Sequence, residues 1–417
     1  MPKQILALEG NIVNTEGQKR GRVEVDILSG LITNVGEPTG SADVVLGDEL
    51  IFPGFIDLHV HAREDTTHRD DYKEDFTTAG EAAINGGVVA FAEMPNNPVP
   101  PIDDASYELK KELSKKCAVT VLPYALMEEG TKALSKKVPY KAVLGTGFAN
   151  HRFFSAYEDL DAGLAHYRGE YVSFHCEDPK ILREYVKEHA HEDQRPDMSE
   201  TIAVDVILSL VKKHELHGKI CHCSTARGVQ MSLDAKKEGV DVTIEVSPHH
   251  LYFDTSMITG EKRKMLQVNP PIRHTKENRL ALIEALRAGK IDYLATDHAP
   301  HSTEDKEKGI SGMPELDTYG PFVTWLIKEH GFTPEEIARV CAYNPGNFLN
   351  EFLPEKHGKI EPGYVGSFAV ININKPTTIN KKVLKTKCGW SAFEGVTFPG
   401  SVVMTIIKGK ILKNEIQ

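Results

Sequence analysis

Short apolar runs rich in β-branched residues alternate with charged segments between about residues 51 and 350. The charged segments carry apolar residues three and four positions apart, which predicts amphipathic helices at 105–116, 180–190, 201–214, 225–238 and 277–288. The apolar runs predict eight strands at 51–58, 87–94, 118–126, 140–144, 171–174, 219–221, 241–246 and 291–295. This alternation is typical of a (β/α)8 barrel and also of an open doubly wound sheet.

The two ends of the chain have a different texture. Short β-type runs separated by turn residues occur at 4–8, 22–27 and 31–35, and again at 367–373, 401–408 and 410–413. We expect the two ends to pair into one small β-sandwich domain beside the central region. The predicted domains are therefore 51–355 for the central region, with 1–50 and 356–417 forming the small β domain.

Polar residues at the ends of the predicted strands favour the barrel over the open sheet. A barrel brings the C-terminal ends of all its strands to one mouth, whereas an open sheet spreads them along an edge. Six of the eight strands contain or precede such residues, namely Asp57, His59, His61, Asn96, Lys141, His175, His222 and Asp297. We therefore predict an α/β fold built on a TIM-like (β/α)8 barrel.

Composition narrows the class of function. The 417 residues are 40% hydrophobic and 26% charged, as in a globular protein, and the net charge of -11 argues against nucleic acid or an anionic membrane as partner. No run approaches a membrane span, and the N-terminus lacks the pattern of a signal peptide, so we expect a cytoplasmic protein. Six cysteines in a chain of this length predict reduced thiols.

The first strand ends in a pair of histidines. Residues two apart on an extended segment point to the same face, so His59 and His61 can reach one metal ion. A His-x-His pair is more often unrelated to metal, but this pair ends a buried strand, where unused polar side chains are costly.

Two later histidines complete a possible metal site. His175 and His222 would add two neutral nitrogen donors at the same mouth, the set a dinuclear zinc site needs if an anion bridges the ions. Lys141 can supply that anion after its amine has reacted with carbon dioxide to form a carbamate. From spacing alone, a lysine that extends its amine into water is an equally good interpretation.

Asp297 follows the last predicted strand. A carboxylate there can bind one metal, accept a proton from the attacking water and return it to a leaving nitrogen. The nearby Cys221-His222-Cys223 is not interpreted as a zinc knuckle, because the thiols face away from His222 and no second cysteine pair closes the site. His191, His214, His217 and the His249-His250 pair are interpreted as helix, loop or surface residues, although the His249-His250 pair could support the site from behind.

In their order along the chain these residues resemble the amidohydrolase superfamily and, within it, the long-chain dihydroorotases of bacteria and archaea. The resemblance covers nearly the whole chain. Its landmarks are Pro53-Gly54-Phe55-Ile56-Asp57-Leu58-His59-Val60-His61-Ala62-Arg63-Glu64, Met94-Pro95-Asn96, Tyr140-Lys141-Ala142-Val143, His175-Cys176-Glu177, His222-Cys223-Ser224-Thr225-Ala226, Val268-Asn269-Pro270-Pro271, Thr296-Asp297-His298-Ala299-Pro300-His301, Ser311-Gly312-Met313-Pro314 and Gly389-Trp390-Ser391. The chain departs from the pattern at Asp65-Thr66-Thr67 and over 145–150.

The resemblance implies a catalytic centre with two zinc ions, one on His59 and His61 and the other on His175 and His222. It implies a carboxylated Lys141 as the bridge and Asp297 as a metal-bound acid and base. A hydroxide that bridges the two metals would attack the ring carbonyl of dihydroorotate, and N-carbamoyl-aspartate would form reversibly, in pyrimidine biosynthesis. The substrate carboxylate would contact Arg63, Asn96 and His301, and the ring would contact Asn269 and the backbone at Gly312.

Two groups of alternatives share much of this pattern. Hydantoinases, dihydropyrimidinases and allantoinases have the same metal set, but their substrates generally lack a ring carboxylate, for which Arg63 offers a bidentate partner. The chain could also be a non-catalytic relative that assembles with aspartate transcarbamoylase, yet such relatives typically lose metal ligands, and here every ligand type is present. We expect a small-molecule enzyme, with a homodimer or a transcarbamoylase assembly as its possible protein partners.

Overall fold

The computed structural model describes residues 4–145, 153–260 and 262–416. Its strands are β1 Ile5–Asn14, β2 Gly17–Asp26, β3 Leu31–Gly36, β4 Val44–Pro53, β5 Phe55–Val60, β6 Val88–Glu93, β7 Thr120–Pro123, β8 Ala125–Met127, β9 Tyr140–Leu144, β10 Tyr171–Cys176, β11 His217–Ile220, β12 Val242–Val246, β13 Tyr293–Leu294, β14 Phe368–Asn372, β15 Thr377–Thr378, β16 Thr397–Phe398, β17 Ser401–Ile407 and β18 Lys410–Asn414. Of residues 145–150, where the sequence departs from the dihydroorotase pattern, only Gly145 lies within the described residues.

Most of the helices connect successive strands of the central region. They are α1 Phe76–Gly86, α2 Asp104–Ser114, α3 Tyr157–Leu164, α4 Pro179–Tyr185, α5 His191–Gln194, α6 Asp197–Lys213, α7 Ala226–Lys237, α8 Pro248–Tyr252, α9 Lys262–Met265, α10 Lys276–Arg287, α11 Thr303–Glu307, α12 Tyr319–His330, α13 Pro334–Ala338 and α14 Asn344–Asn350. A π-helical turn, Arg339–Tyr343, joins the last two. Within the described ranges, none of these helices combines the length and apolar character that a membrane span requires.

Eight parallel strand positions form the barrel. One ladder contains β5, β6 and β7, and a second runs from β8 through β9, β10, β11 and β12 to β13. The third position is interrupted at Tyr124, so that β7 pairs with β6 while β8 pairs with β9. The barrel closes where His61 N donates to His298 O at 2.8 Å and His298 N donates to His59 O at 3.2 Å. The predicted (β/α)8 barrel is confirmed.

The two chain ends pair as predicted, in one seven-stranded mixed sheet ordered β18-β17-β14-β4-β1-β2-β3. Strand β4 is central to this sheet, because it pairs in parallel with β1 and antiparallel with β14. The sheet has its own apolar core, in which Leu8 and Val25 from the N-terminal strands pack with Phe368 and Ile406 from the C-terminal strands. The division at residues 50/51 and 355/356 stays a prediction.

The predicted strand at 51–58 is divided between the two sheets. Its first part ends β4 and its second part begins β5, with Gly54 between them. A Cβ atom on Gly54 would lie 2.3 Å from a methyl carbon of Val89, so the close approach of β6 requires glycine here. Both segments are apolar and fully buried, which is why their pattern alone reads as one strand.

Candidate metal centre and substrate pocket

One cavity of about 550 Å³ lies at the C-terminal mouth of the barrel. All eleven residues predicted for the site line it, although they come from several strand ends and loops. They are His59, His61, Arg63, Asn96, Lys141, His175, His222, Asn269, Asp297, His301 and Gly312. The cavity therefore joins the predicted metal ligands and the predicted substrate contacts in one space.

The His59 and His61 side chains are directed by strand β5. Leu58 and Val60, which alternate with the two histidines, are buried in apolar clusters, whereas both histidines line the cavity. Below the histidines, Asp57 ties the first barrel strand to the segment after the last one: its carboxylate accepts hydrogen bonds from Thr296 N at 3.1 Å and Thr296 Oγ1 at 2.5 Å. The same carboxylate accepts from His59 N at 3.0 Å.

Three of the cavity residues have left-handed backbone conformations although none is glycine. The φ angles are 62° at Arg63, 34° at His222 and 51° at Asp297. Such conformations are costly for residues with a Cβ atom and persist where the surrounding structure enforces them. Each of the three lies two or three residues after the end of a barrel strand and lines the cavity there.

Donor atoms approach one another in two groups. The Nε2 atoms of His59 and His61 each lie 3.2 Å from Oδ1 of Asp297. On the other side, Nδ1 of His175 lies 3.1 Å from Nε2 of His222. Two ligands of a tetrahedral zinc ion at about 2.0 to 2.1 Å are separated by about 3.3 Å, so both groups have the spacing of a shared cation.

Buried glutamates orient one histidine of each group. Glu245 lies 2.6 Å from Nδ1 of His59, and Glu177 lies 2.9 Å from Nε2 of His175. Burial raises the pKa of Glu177, but Arg195 and His175 outweigh that effect and lower it to about 2. Glu177 is therefore an ionised carboxylate that accepts a hydrogen bond from the protonated Nε2 of His175. The second nitrogen of each ring then carries a lone pair that faces the other ligand.

Glu245 and Glu177 were not among the predicted site residues. Glu245 also accepts from His222 N at 3.1 Å and from the buried Lys219 Nζ at 2.5 Å, so one carboxylate supports both histidine groups. A signal was present in the sequence: each glutamate lies in or just after an apolar strand, where an acid is costly without a partner. Periodicity alone does not reveal which partner that is.

Lys141 is buried, with 2% of its surface exposed. Its Nζ donates to Cys221 Sγ at 2.9 Å, which contradicts the interpretation of a lysine that extends into water. Burial is the main cause of the pKa shifts of the five other predicted ligands, and the charge of Lys141 acts on each of them as well. The amine therefore lies within electrostatic reach of both histidine groups, at the wall of the same cavity.

Burial keeps the imidazoles neutral. It lowers the pKa of His59 to about 3, against the opposing charge of Glu245, and it takes the pKa of His61 and His222 well below the usual value. Burial also raises the pKa of Asp297 well above its usual value. Neutral imidazole nitrogens that converge with a carboxyl oxygen are the ligand types that zinc binds, so this donor set fits divalent metal ions.

The substrate side of the cavity contains a buried guanidinium. Arg63 donates to the Pro300 carbonyl at 3.2 Å and lies 3.1 Å from Nε2 of His301. No carboxylate lies within ion-pair distance of Arg63 in the described part of the chain. Oδ1 of the neighbouring Asn96 is buried without a hydrogen-bond partner there. Arg63 retains guanidinium donors beyond these two contacts for an anionic ligand, whereas the Asn96 oxygen can only accept a hydrogen bond.

Asn269 is oriented by two residues. His191 Nε2 lies 2.9 Å from its Oδ1, and Ser311 Oγ donates to the same atom at 3.2 Å, which leaves the amide nitrogen for the cavity. The interpretation of His191 as a helix or surface residue is therefore incomplete, since it begins α5 and also lines the cavity. His249 and His250 are buried as well, on α8.

The chain has relatives among known proteins. The amidohydrolase family model matches residues 50–412. The dihydroorotase of Pyrococcus furiosus is 32% identical over 367 residues, which cover 88% of this chain and 82% of the relative. The dihydroorotase of Listeria innocua is 31% identical over 431 residues (97% and 98%), and that of Bacillus pumilus is 31% identical over 433 residues (98% and 98%).

Solved structures resemble the chain in fold. L-hydantoinase (dihydropyrimidinase) from Arthrobacter aurescens has a TM-score of 0.89 at 21% identity, and covers 99% of this chain and 96% of its own. D-hydantoinase (dihydropyrimidinase) from Thermus sp. has a TM-score of 0.85 at 20% identity, with the same coverage. At these identities the likeness concerns the fold alone. The family model and the sequence relatives show that the chain belongs to the amidohydrolase family, as a cyclic amide hydrolase of the dihydroorotase kind.

Proposed function

We propose that the chain is a zinc-dependent dihydroorotase that opens and closes the ring between dihydroorotate and N-carbamoyl-aspartate. The observation that carries the choice of substrate is Arg63, a buried guanidinium at the cavity wall without an acidic partner among the described residues. Such a group is expensive unless an anion pairs with it, and the ring carboxylate of dihydroorotate supplies two oxygens for a charge-assisted contact.

The metal ligands proposed are His59, His61 and Asp297 for one ion, and His175 and His222 for the other. Lys141, carboxylated by carbon dioxide, would bridge them, which is supported by its place in the wall of the same cavity. Zinc bound there would acidify a water molecule and polarise the ring carbonyl. Glu245 and Glu177 hold His59 and His175 in the tautomers that such ions require.

Asp297 is proposed as the acid and base of the reaction. Its Oδ1 is 3.2 Å from Nε2 of His59 and of His61, at the floor of the cavity. In the hydrolytic direction it accepts a proton from the attacking water as the carbon–oxygen bond forms. It then donates that proton to the ring nitrogen as the carbon–nitrogen bond breaks, so the carboxylate is regenerated and no other proton carrier is needed.

The remaining cavity residues bind and orient the substrate. Arg63, Asn96 and His301 surround the proposed carboxylate position, and His301 is neutral because burial lowers its pKa. Asn269 offers its amide nitrogen to a ring carbonyl, and the backbone at Gly312 lies beside it. A Cβ atom on Gly312 would lie 2.6 Å from the carbonyl oxygen of Ala299, so a larger residue would displace this wall.

The proposal is tested by metal content and substrate choice together. Protein purified with zinc and bicarbonate should carry about two zinc ions per chain and should turn over dihydroorotate. Dihydrouracil, hydantoin and allantoin lack the ring carboxylate, so their kcat/KM should be lower than that of dihydroorotate by a factor of about 10⁴ or more. If the wild-type protein hydrolyses dihydrouracil or hydantoin at the same rate as dihydroorotate, the family assignment stands but the proposed substrate is wrong.

Arg63→Met is the matching variant. It should lower kcat/KM for dihydroorotate far more than for dihydrouracil, because only the former has a carboxylate to lose. Arg69→Met is the control, since Arg69 is exposed at the rim of the same cavity and should leave the ratio of the two substrates unchanged. Equal losses on both substrates in Arg63→Met would contradict the assigned contact.

A further inference from the structure

Lys306 is fully buried, with 0% of its surface exposed, although its side chain ends in an ammonium group. It lies on α11, five residues after His301. No carboxylate lies within ion-pair distance of it among the residues that the structure describes. An unpaired buried charge is expensive, so other contacts must offset the cost.

Three backbone carbonyls surround the amine. Nζ donates to Gly312 O at 2.7 Å, Gln267 O at 2.8 Å and Ile310 O at 2.9 Å. A protonated lysine has three N–H groups and a neutral one has two, so this set of acceptors matches the ammonium form. Burial lowers the pKa of Lys306 to about 7, and the three carbonyls oppose that shift because they favour the charged form.

The three carbonyls belong to two separate parts of the cavity wall. Residues 309–312 and the segment that begins at Gln267 both line the cavity, and Gly312 N donates to Gln267 O at 2.9 Å. Ser311 also donates to Asn269 Oδ1. Lys306 therefore joins, from outside the cavity, the two backbone segments that carry the proposed ring contacts.

We propose that Lys306 is a positioning residue for ring recognition, which holds residues 309–312 and 267–269 at the separation that the substrate ring requires. It does not touch the reacting atoms, so it should govern substrate affinity and leave the ring-opening step nearly unchanged. The identity of the substrate in this inference rests on the proposed function, whereas the contacts between Lys306 and the two segments are independent of it.

Lys306→Met keeps the length of the side chain and removes all three donors. We expect KM for dihydroorotate to rise by about tenfold or more, with kcat within about threefold of the wild type. Hydrogen exchange should become faster at the amides of Ile310 and Gly312 in the unliganded protein, while zinc content stays the same. Lys308→Met is the matched control, because Lys308 lies exposed on the same turn and should change neither quantity.

Lys306→Gln is the second variant, for the case in which the methionine variant does not fold. It retains two donors on a shorter side chain, and should show the same KM effect and the same faster exchange in smaller measure. Unchanged exchange at residues 310–312, or a fall in kcat at constant KM, would overturn the inference. If wild-type protein does not turn over dihydroorotate, the proposed function fails, and the exchange measurement still decides the role of Lys306.

Discussion

Asp297 faces both histidines of the first ligand group, and its left-handed backbone holds it there. Burial raises the pKa of its carboxyl well above the usual value, and the charges of Glu245 and Glu315 add to that shift, whereas Lys141 and Arg63 oppose it. At the residue scale, a carboxyl that readily holds a proton suits a group that must accept one and return it.

Asp297→Asn should lower kcat by about 10² to 10⁴, because the amide keeps the shape of the side chain and cannot carry the proton. Zinc content, measured on the same preparation, should stay near that of the wild type. Asp305→Asn is the control: this acid accepts from Tyr72 Oη at 2.8 Å at the cavity rim and should leave kcat within a few fold. Near-normal turnover in Asp297→Asn would assign the base elsewhere.

Glu245 gives a prediction about metal affinity. The double variant Lys219→Met, Glu245→Gln removes a buried ion pair as a unit, which preserves folding better than the loss of one partner. We expect its zinc to be bound about 10- to 100-fold more weakly in a chelator competition, because His59 loses the carboxylate that orients it. Lys219→Met alone keeps the Glu245–His59 contact and serves as the comparison. Equal affinity in the two variants would contradict the role given to Glu245.

At the scale of elements, the C-terminal segment around 385–391 supports the barrel mouth from outside. Asp317 accepts from Lys385 N at 2.8 Å and Thr386 N at 3.0 Å, which docks this segment beside α12. Trp390, buried to 2% exposure, donates from Nε1 to His301 O at 2.7 Å. A segment far from the barrel strands in sequence therefore holds one of the proposed carboxylate-binding residues.

Trp390→Phe should keep most of the buried ring and remove its only donor. We expect KM for dihydroorotate to rise by about two- to tenfold with kcat nearly unchanged, which is the effect of one hydrogen bond. The chain has one other tryptophan, Trp325, on α12 away from the cavity. Trp325→Phe should leave KM unchanged, and an equal rise in both variants would indicate general loosening instead of loss of the His301 contact.

At the scale of the whole molecule, the proposed metal ligands are distinct from the apolar side chains that supply most of the stability. In the part of the chain that the structure describes, three apolar clusters make up the core, and one of them belongs to the sheet formed by the chain ends. Removal of metal should therefore abolish activity without unfolding the protein. The ligands are nevertheless buried in the folded state alone, so bound zinc must favour that state.

Zinc should raise the melting temperature of the metal-free protein by a measurable amount. At a free concentration of 1,000 times Kd, the stabilisation is about 4 kcal/mol. Magnesium is the control, because it prefers six oxygen ligands and should have little effect on a histidine-rich site. The circular dichroism of the metal-free protein should match that of the zinc-bound protein at 25 °C. A melting temperature that does not respond to zinc would contradict metal binding at buried ligands.

The sequence by itself determined the strand and helix order, the pairing of the chain ends and the eleven residues that meet in the cavity. Hydrophobic periodicity is local, and a barrel places every strand end at one mouth whatever the details of packing. The sequence pattern therefore predicted that residues such as His175 and His222 lie close together at the barrel mouth. The structure confirms the fold, while the roles of the eleven residues stay predictions.

The tertiary structure alone decided which groups support that cavity. Glu245 lies 186 residues from His59, and Trp390 lies 89 residues from His301, so no local pattern relates the members of either pair. Lys306 looks in the sequence like one more charge on a short polar helix, and only the fold brings the remote carbonyl of Gln267 to its amine beside the carbonyls of Ile310 and Gly312. Burial and hydrogen bonding depend on distances between remote parts of the chain, and those distances exist only once the chain has folded.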